Sequence, residues 1–196
     1  MHFELQEELL AHLPDVVGIT ILNEMDPVDR TRLLEELPQE ISTRFILKLN
    51  PEERKMAWQL LSYPEDSVGR IMTPEFASVH SGITVRDALA DIRWNSTRIP
   101  EDLLHNIFVI GSEGELLGHV SLASLVIADP ASIPVDELMD RTIDTVSVYE
   151  SESSAVDYFR KHDRPYIPVV DEDGKLVGLV EADDIFDVAE EEATEE

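Results

Sequence analysis

The feature that most constrains the fold is an internal repeat. The stretch "HNIFVIGSEGELLGHVSLASLV" (105–126) overlies "RPYIPVVDEDGKLVGLVEADDIF" (164–186): Ile110 falls on Val170, Gly114 on Gly174, Leu116 on Leu176, Gly118 on Gly178 and Val120 on Val180, always 60 positions apart. Each copy runs from an apolar segment through an acidic turn ending in glycine to a second apolar segment, which is the signature of a β-hairpin. Upstream, "IMTPEFASVHSGITVRDALADI" and "LMDRTIDTVSVYESESSAVDYF" share a Met, a turn, a short strand ("FASV", "DTVSV") and an amphipathic helix, here 67 positions apart. The seven extra residues of the first copy fall in 94–105. The unit is therefore β-α-β-β-α, present twice. One copy cannot bury both faces of its small sheet, so the two are expected to pack as a pair.

The first 62 residues read differently. "DPVDRTRLLEELP" opens with Asp26 as N-cap and Pro27 at the first helical position. "NPEERKMAWQLLSYP" repeats that opening with Asn50 and Pro51, followed by Glu52 and Glu53, where the helix dipole favours acids. Between them Ile41, Phe45, Ile46 and Leu49 recur at helical spacing, and Leu9, Leu10 and Leu13 share a face before Pro14. This predicts a stack of short helices with Leu, Met and Trp side chains inside. "SYPEDSVGRIMTPEF" (62–76), with two prolines and a glycine, joins the stack to the repeats.

Composition removes several functions. With 43% apolar residues the chain can bury a core, and with no cysteine it has neither disulfides nor thiolate metal ligands. No apolar run approaches the roughly 18 residues of a membrane span, and the N-terminus lacks a signal-peptide pattern, so a cytoplasmic chain without direct membrane insertion is expected. A net charge of −27 repels nucleic acid and anionic lipid and attracts cations or basic partners; solubility or a salt-adapted host would give the same excess. The six histidines show no ligand or triad spacing, and there is no phosphate-binding glycine loop. "DEDG" (171–174) resembles the start of an EF-hand, but Lys175 and Leu176 break the pattern, and it reads as a hairpin turn.

The acids concentrate at the far end. In "DDIFDVAEEEATEE", Asp184, Asp187, Glu191 and Glu195 fall on one helical stripe. Neighbours about 6 Å apart repel by roughly 2–3 kcal/mol before screening at an effective dielectric near 20. The stripe is either a solvated terminal helix or a set of oxygen ligands for a hard cation. Carboxylates without Cys or paired His suit Mg²⁺ or Ca²⁺ rather than zinc.

The glycine hairpins followed by "LVGLVEADDI" resemble a tandem CBS pair. Together with "SYPEDSVGRIMTPEF", "SLASLVIADP" and the two helical repeats, the whole chain resembles the cytosolic region of MgtE-type magnesium transporters. The resemblance implies an α+β chain: a small all-α N domain (1–62), a joint (63–71), a first CBS domain (72–130), a second (131–190) and an acidic C-terminal helix extension (191–196). It implies a Mg²⁺-sensing regulatory module that gates a channel, without enzymatic activity. A homodimer formed through the CBS domains and a transmembrane channel domain in cis or in trans are the implied partners. The family continues into membrane helices after the acidic helix, and its N domain is longer. The expectation is a sensor without its pore, carrying a shortened cap.

By that resemblance Asp163 and Glu195 match positions that together ligate Mg²⁺, Asp184 and Asp187 match acids on the CBS surfaces, and Asp29 keeps part of an N-domain acid pair. Arg32 stands where an aspartate is usual, and Ser151 and Ser153 replace acids, with Glu150 and Glu152 beside them. The nucleotide motif of CBS pairs, Ser/Thr-x-x-Asp, is incomplete twice. Ser121 is followed by Ser124 instead of Asp, and Asp184 is preceded by Glu181. An adenine-nucleotide sensor, using Ser121 and Asp184, and a metal-independent interaction subunit are the alternatives; a Mg²⁺-dependent hydrolase has no nameable base or nucleophile.

Overall fold

The computed structural model describes residues 14–95, 99–129, 131–162 and 164–185. The fold is α+β and divides into two compact units. One comprises Met1–Met72, Val148–His162 and Ala182–Glu196; the other comprises Thr73–Ser147 and Asp163–Glu181.

The first unit contains α1 (Asp15–Glu24), α2 (Pro27–Glu36), α3 (Gln39–Ile46), α4 (Pro51–Leu61) and α7 (Glu152–Lys161). Prolines punctuate it. Pro14 and Pro38 occupy N-cap positions, and Pro27 and Pro51 begin α2 and α4, where a missing N–H leaves no helical bond unmade. Asp26 accepts a hydrogen bond from the Val28 N–H at 2.8 Å, as expected of a cap. Asn50 instead uses its backbone: its N–H donates to Asn23 Oδ1 at 2.9 Å. Leu22, Leu33, Leu34, Leu37, Phe45, Ile46, Leu49 and Ala57 form the core. Trp58 does not join them. It is 47% exposed, because α4 turns the face carrying Ala57 and Leu60 inward and Trp58 lies off that face. The stretch Leu9–Leu13 lies outside the described residues.

One buried cation organises this stack. Arg30 is 0% exposed. Its Nη1 donates to the Leu22 carbonyl at 3.0 Å and to that of Met25 at 3.5 Å, closing the end of α1, while Nη2 lies 2.6 Å from Glu53 Oε2 on α4. That last pair is close without hydrogen-bond alignment, and Nε has no partner among the described residues. The guanidinium is held by charge and by helix-end carbonyls rather than by a complete network.

The joint is stitched rather than slack. Val68 N–H donates to the Glu150 carbonyl at 2.8 Å, Gly69 N–H to that of Val148 at 3.0 Å, and Glu152 N–H to that of Asp66 at 3.0 Å. Asp66 adopts a left-handed conformation, φ 59°, a region that Asp tolerates better than most residues. Gly69 is required by proximity: a Cβ there would stand 2.5 Å from Tyr63 Cγ. Arg70 also pairs with Glu35.

In the second unit the duplication is exact in topology. β1 (Ser78–His80) runs parallel to β2 (Asn106–Ile110), which pairs antiparallel with β3 (Leu116–Ser121); β4 (Val146–Ser147), β5 (Tyr166–Val170) and β6 (Leu176–Glu181) repeat the order. Ile107 faces Val120 as Ile167 faces Val180, and the register slips at Val109/Ile110 and again at Val169/Val170. Gly114 and Gly174 take φ of 89° and 76° at the hairpin tips. The tips then pair with each other: Leu116 N–H donates to the Gly174 carbonyl and Leu176 N–H to that of Gly114. Phe108, Leu103, Leu176 and Leu179 share one cluster, so the copies do bury each other. The lead-in strands are shorter than "FASV" and "DTVSV" suggest, since pairing begins only at Ser78 and Val146. α5 (Val85–Asn95) and α6 (Leu122–Ile127) pack on the first sheet and on each other. Among the described residues no helix is long and apolar enough to cross a membrane.

Candidate functional site

Within the first unit, the N-terminal end of α2 meets the helical segment 182–185. Asp26 is there because it caps α2, and Asp29 because the first turn of a helix favours acids. Ile185, fully buried, anchors the other side and holds Asp184 in a half-buried position beside exposed Asp183. Arg32, one turn into α2 beyond Asp29, reaches across, and its Nη2 donates to the Asp184 carbonyl at 3.2 Å.

The charges are unbalanced. The Asp184 carboxyl is pushed up to about 6, by burial first, then by Asp26, with Arg32 opposing and Asp29 and Asp183 adding to the rise. At neutral pH it is ionised against resistance from three other carboxylates. Such a group gains from any nearby positive charge.

Of the residues predicted from sequence, Asp29 and Asp184 are brought into one electrostatic neighbourhood. Asp163, Asp187, Glu191 and Glu195 lie outside the described residues. Ser151 sits at the N-terminus of α7. Its hydroxyl lies 2.8 Å from that of Ser153 and 3.1 Å from that of Ser154, at the start of α7. Among the described residues no three acidic or histidine side chains converge tightly enough to cage an ion. The donor set fits a hydrated hard cation held through one or two carboxylates, which is how Mg²⁺ binds, better than a dehydrated one.

Ser121 belongs to the second unit and is committed to structure there. Its hydroxyl caps α6 by accepting from the Ser124 N–H at 3.0 Å, and lies 2.7 Å from the Ser124 hydroxyl. It lines an open, mainly apolar groove of about 810 Å³ with Glu101, Leu104, His105, Asn106, Leu122 and Ile127. The sequence reading missed the reach of Arg32 to the terminal segment; a cation one turn beyond Asp29 was visible, but its partner lies 152 positions away.

Comparison with known proteins agrees with this architecture. Residues 1–66 match the model of the MgtE intracellular N domain, and residues 68–130 and 135–191 match that of the CBS domain. The magnesium transporter MgtE of Thermus thermophilus is 36% identical over 149 residues, 76% of this chain and 32% of its own length. That of Bacillus subtilis is 32% identical over 197 residues, 98% of this chain and 43% of its own length. This chain thus spans less than half the length of these curated relatives. A crystal structure of the soluble part of a magnesium transporter superposes with a TM-score of 0.85 at 27% identity, over 97% of this chain and 73% of the other. The cytosolic domain of the Mg²⁺ channel MgtE in complex with ATP superposes with a TM-score of 0.69 at 27% identity, over 96% and 86%. A helical stack, a paired β-α-β-β-α repeat and these matches lead to one conclusion: the chain belongs to the MgtE family and carries that family's N domain and CBS pair.

Proposed function

We propose that this chain is the cation-sensing regulatory part of a magnesium transport system, acting at the cytoplasmic face of a membrane through a transmembrane channel domain in cis or in trans. In this reading 1–62 is the cap, 63–71 the joint, 72–130 and 131–190 the CBS domains and 191–196 the acidic extension, and the chain performs no catalysis. The observation that carries the proposal is the placement of half-buried Asp184 against α2, where Arg32 bonds its carbonyl and Asp26 and Asp29 join Asp183 in one acidic neighbourhood. Repulsion among these carboxylates, to which the acids Asp187, Glu191 and Glu195 would add, favours separation of the terminal segment from the cap. A bound magnesium ion would supply the charge that reverses that preference. Asp29 and Asp184 would hold it on the described surface, with Asp163 and Glu195 as a second pair. Several weak sites acting together are needed, because each shifts the balance only by its differential affinity for the two states. Trp94, 84% exposed, and Ile127, 80% exposed, stand on the adjacent helices α5 and α6 and support a CBS-mediated homodimer.

The test is limited proteolysis and scattering radius of a chelator-stripped sample at constant ionic strength. Millimolar Mg²⁺ is expected to protect and compact the chain well beyond matched NaCl; an equal response to both removes the sensing role. The groove beside Ser121 and the ATP-bound relative favour a second reading, an adenine-nucleotide sensor. Calorimetry with ATP in chelator tests it. Heat that Ser121→Ala abolishes would support a nucleotide site there, and no heat would exclude one.

A further inference from the structure

The acidic neighbourhood around Asp184 contains its own cation. Asp26, Asp29, Asp183 and Asp184 contribute four negative charges and Arg32 one positive, and the guanidinium is half-buried between the two elements rather than extended into solvent. It is rooted on α2, three positions after Asp29, a spacing at which opposite charges on a helix attract. From there it donates to the main chain of the terminal segment, at the Asp184 carbonyl, 3.2 Å away. A backbone acceptor fixes position in a way that a mobile carboxylate cannot, and a planar guanidinium can keep that bond while other N–H groups face nearby acids.

We propose that Arg32 is a positioning residue, a built-in cation that keeps segment 182–185 on the helical domain when no divalent ion is present. Arg32 then offsets part of the carboxylate repulsion from within the chain, at the contact between α2 and segment 182–185. Added cations act on the remaining negative charge instead of creating the contact. This rests on the sensing role proposed above for its link to regulation, although the tether itself is independent of any metal.

Hydrogen exchange on the full 196-residue chain in chelator, compared for wild type and Arg32→Gln, tests it. Loss of one hydrogen bond from a charged donor should speed exchange at 182–185 by about tenfold, while the α3 amides, inside the same unit, keep their protection. Mg²⁺ alone should restore much of the lost protection. Unchanged exchange at 182–185 in Arg32→Gln overturns the proposal. If that variant also loses α3 protection, Arg32→Met decides, because it keeps the apolar stem and removes both the charge and the donor: faster exchange at 182–185 over an intact α3 supports the tether, and wild-type exchange overturns it. A wild-type chain that ignores Mg²⁺ would end the sensing role yet leave the chelator comparison fully readable.

Discussion

Replacing Asp184 by Asn should stabilise the metal-free protein, which is unusual for a half-buried polar residue. The carboxyl is shifted from 3.8 to about 6, with burial as the largest cause and Asp26, Asp29 and Asp183 adding to it against Arg32. A shift of roughly two units corresponds to about 3 kcal/mol of native-state destabilisation when the group is ionised. Asp184 keeps some contact with solvent, so screening reduces the expected figure to about 1–2 kcal/mol. Because the native value is raised, the protonated form favours the fold: below the unfolded value near 4 there is no loss, between 4 and 6 stability falls, and above 6 the whole effect is present. Asp184→Asn should therefore gain about 1–2 kcal/mol at pH 7.5 and converge on wild type below pH 4. Trp58 on α4 reports this unit in a Trp94→Phe background, and in urea the gain should move the midpoint upward by about 0.5–1 M. With Mg²⁺ the order should reverse, since the variant has lost a carboxylate that profits from the ion. A variant no more stable than wild type at pH 7.5 in chelator, or a gain that persists unchanged at pH 4, would refute the account of Asp184 as an electrostatically strained group.

Other consequences are open to direct measurement. Arg30→Ala should destabilise the helical unit by about 3–5 kcal/mol, since it strands Glu53 and the carbonyls ending α1; a thermal midpoint near wild type would show that the buried cation is dispensable. Asp136 accepts from Ser81 Oγ at 2.5 Å and from Gly82 N–H at 2.7 Å, bonds that hold its carboxyl below the usual carboxylate range. Its contribution is present above pH 4 and is lost as the pH falls through the lowered native value, so Asp136→Asn should lose stability at pH 7 and progressively less as the pH falls below 4; a pH-independent difference would contradict this. Ile127→Glu should shift the mass seen by light scattering from dimer toward monomer, whereas an unchanged mass would move the proposed homodimer away from α6.

The sequence was most legible where backbone chemistry leaves local marks. Glycine at a left-handed hairpin tip, proline at the first helical position and aspartate as a cap each answer a requirement met within a few residues. Gly114, Gly174, Pro27, Pro51 and Asp26 could therefore be assigned from the string. Repetition extended this reach. Once two segments carried the same marks 60 positions apart, a common strand order and a mutual packing surface followed, and the matching register slips bear this out. Trp58 was misjudged because an apolar residue between two inward positions of a helix looks like core until the helix phase is known.

The candidate site was only half legible, and the reason is range. Composition and spacing showed that the chain carries excess carboxylates and put Asp184 on an acidic stripe, and the family resemblance added Asp29 as a candidate. They could not show that the two share one neighbourhood, that Arg32 bonds the Asp184 main chain, or that Arg30 is a buried knot and not a surface charge. Those facts depend on side chains from distant segments meeting in a partly water-excluded space, where the strength of a charge is set by its neighbours and not by its position in the string. Residue order alone determined the repeat, the turns and the helix starts, because each obeys short-range sterics and hydrogen bonding. Tertiary packing decided which acids repel, which cation answers them and how strongly, because burial lowers the local dielectric only after the chain has folded.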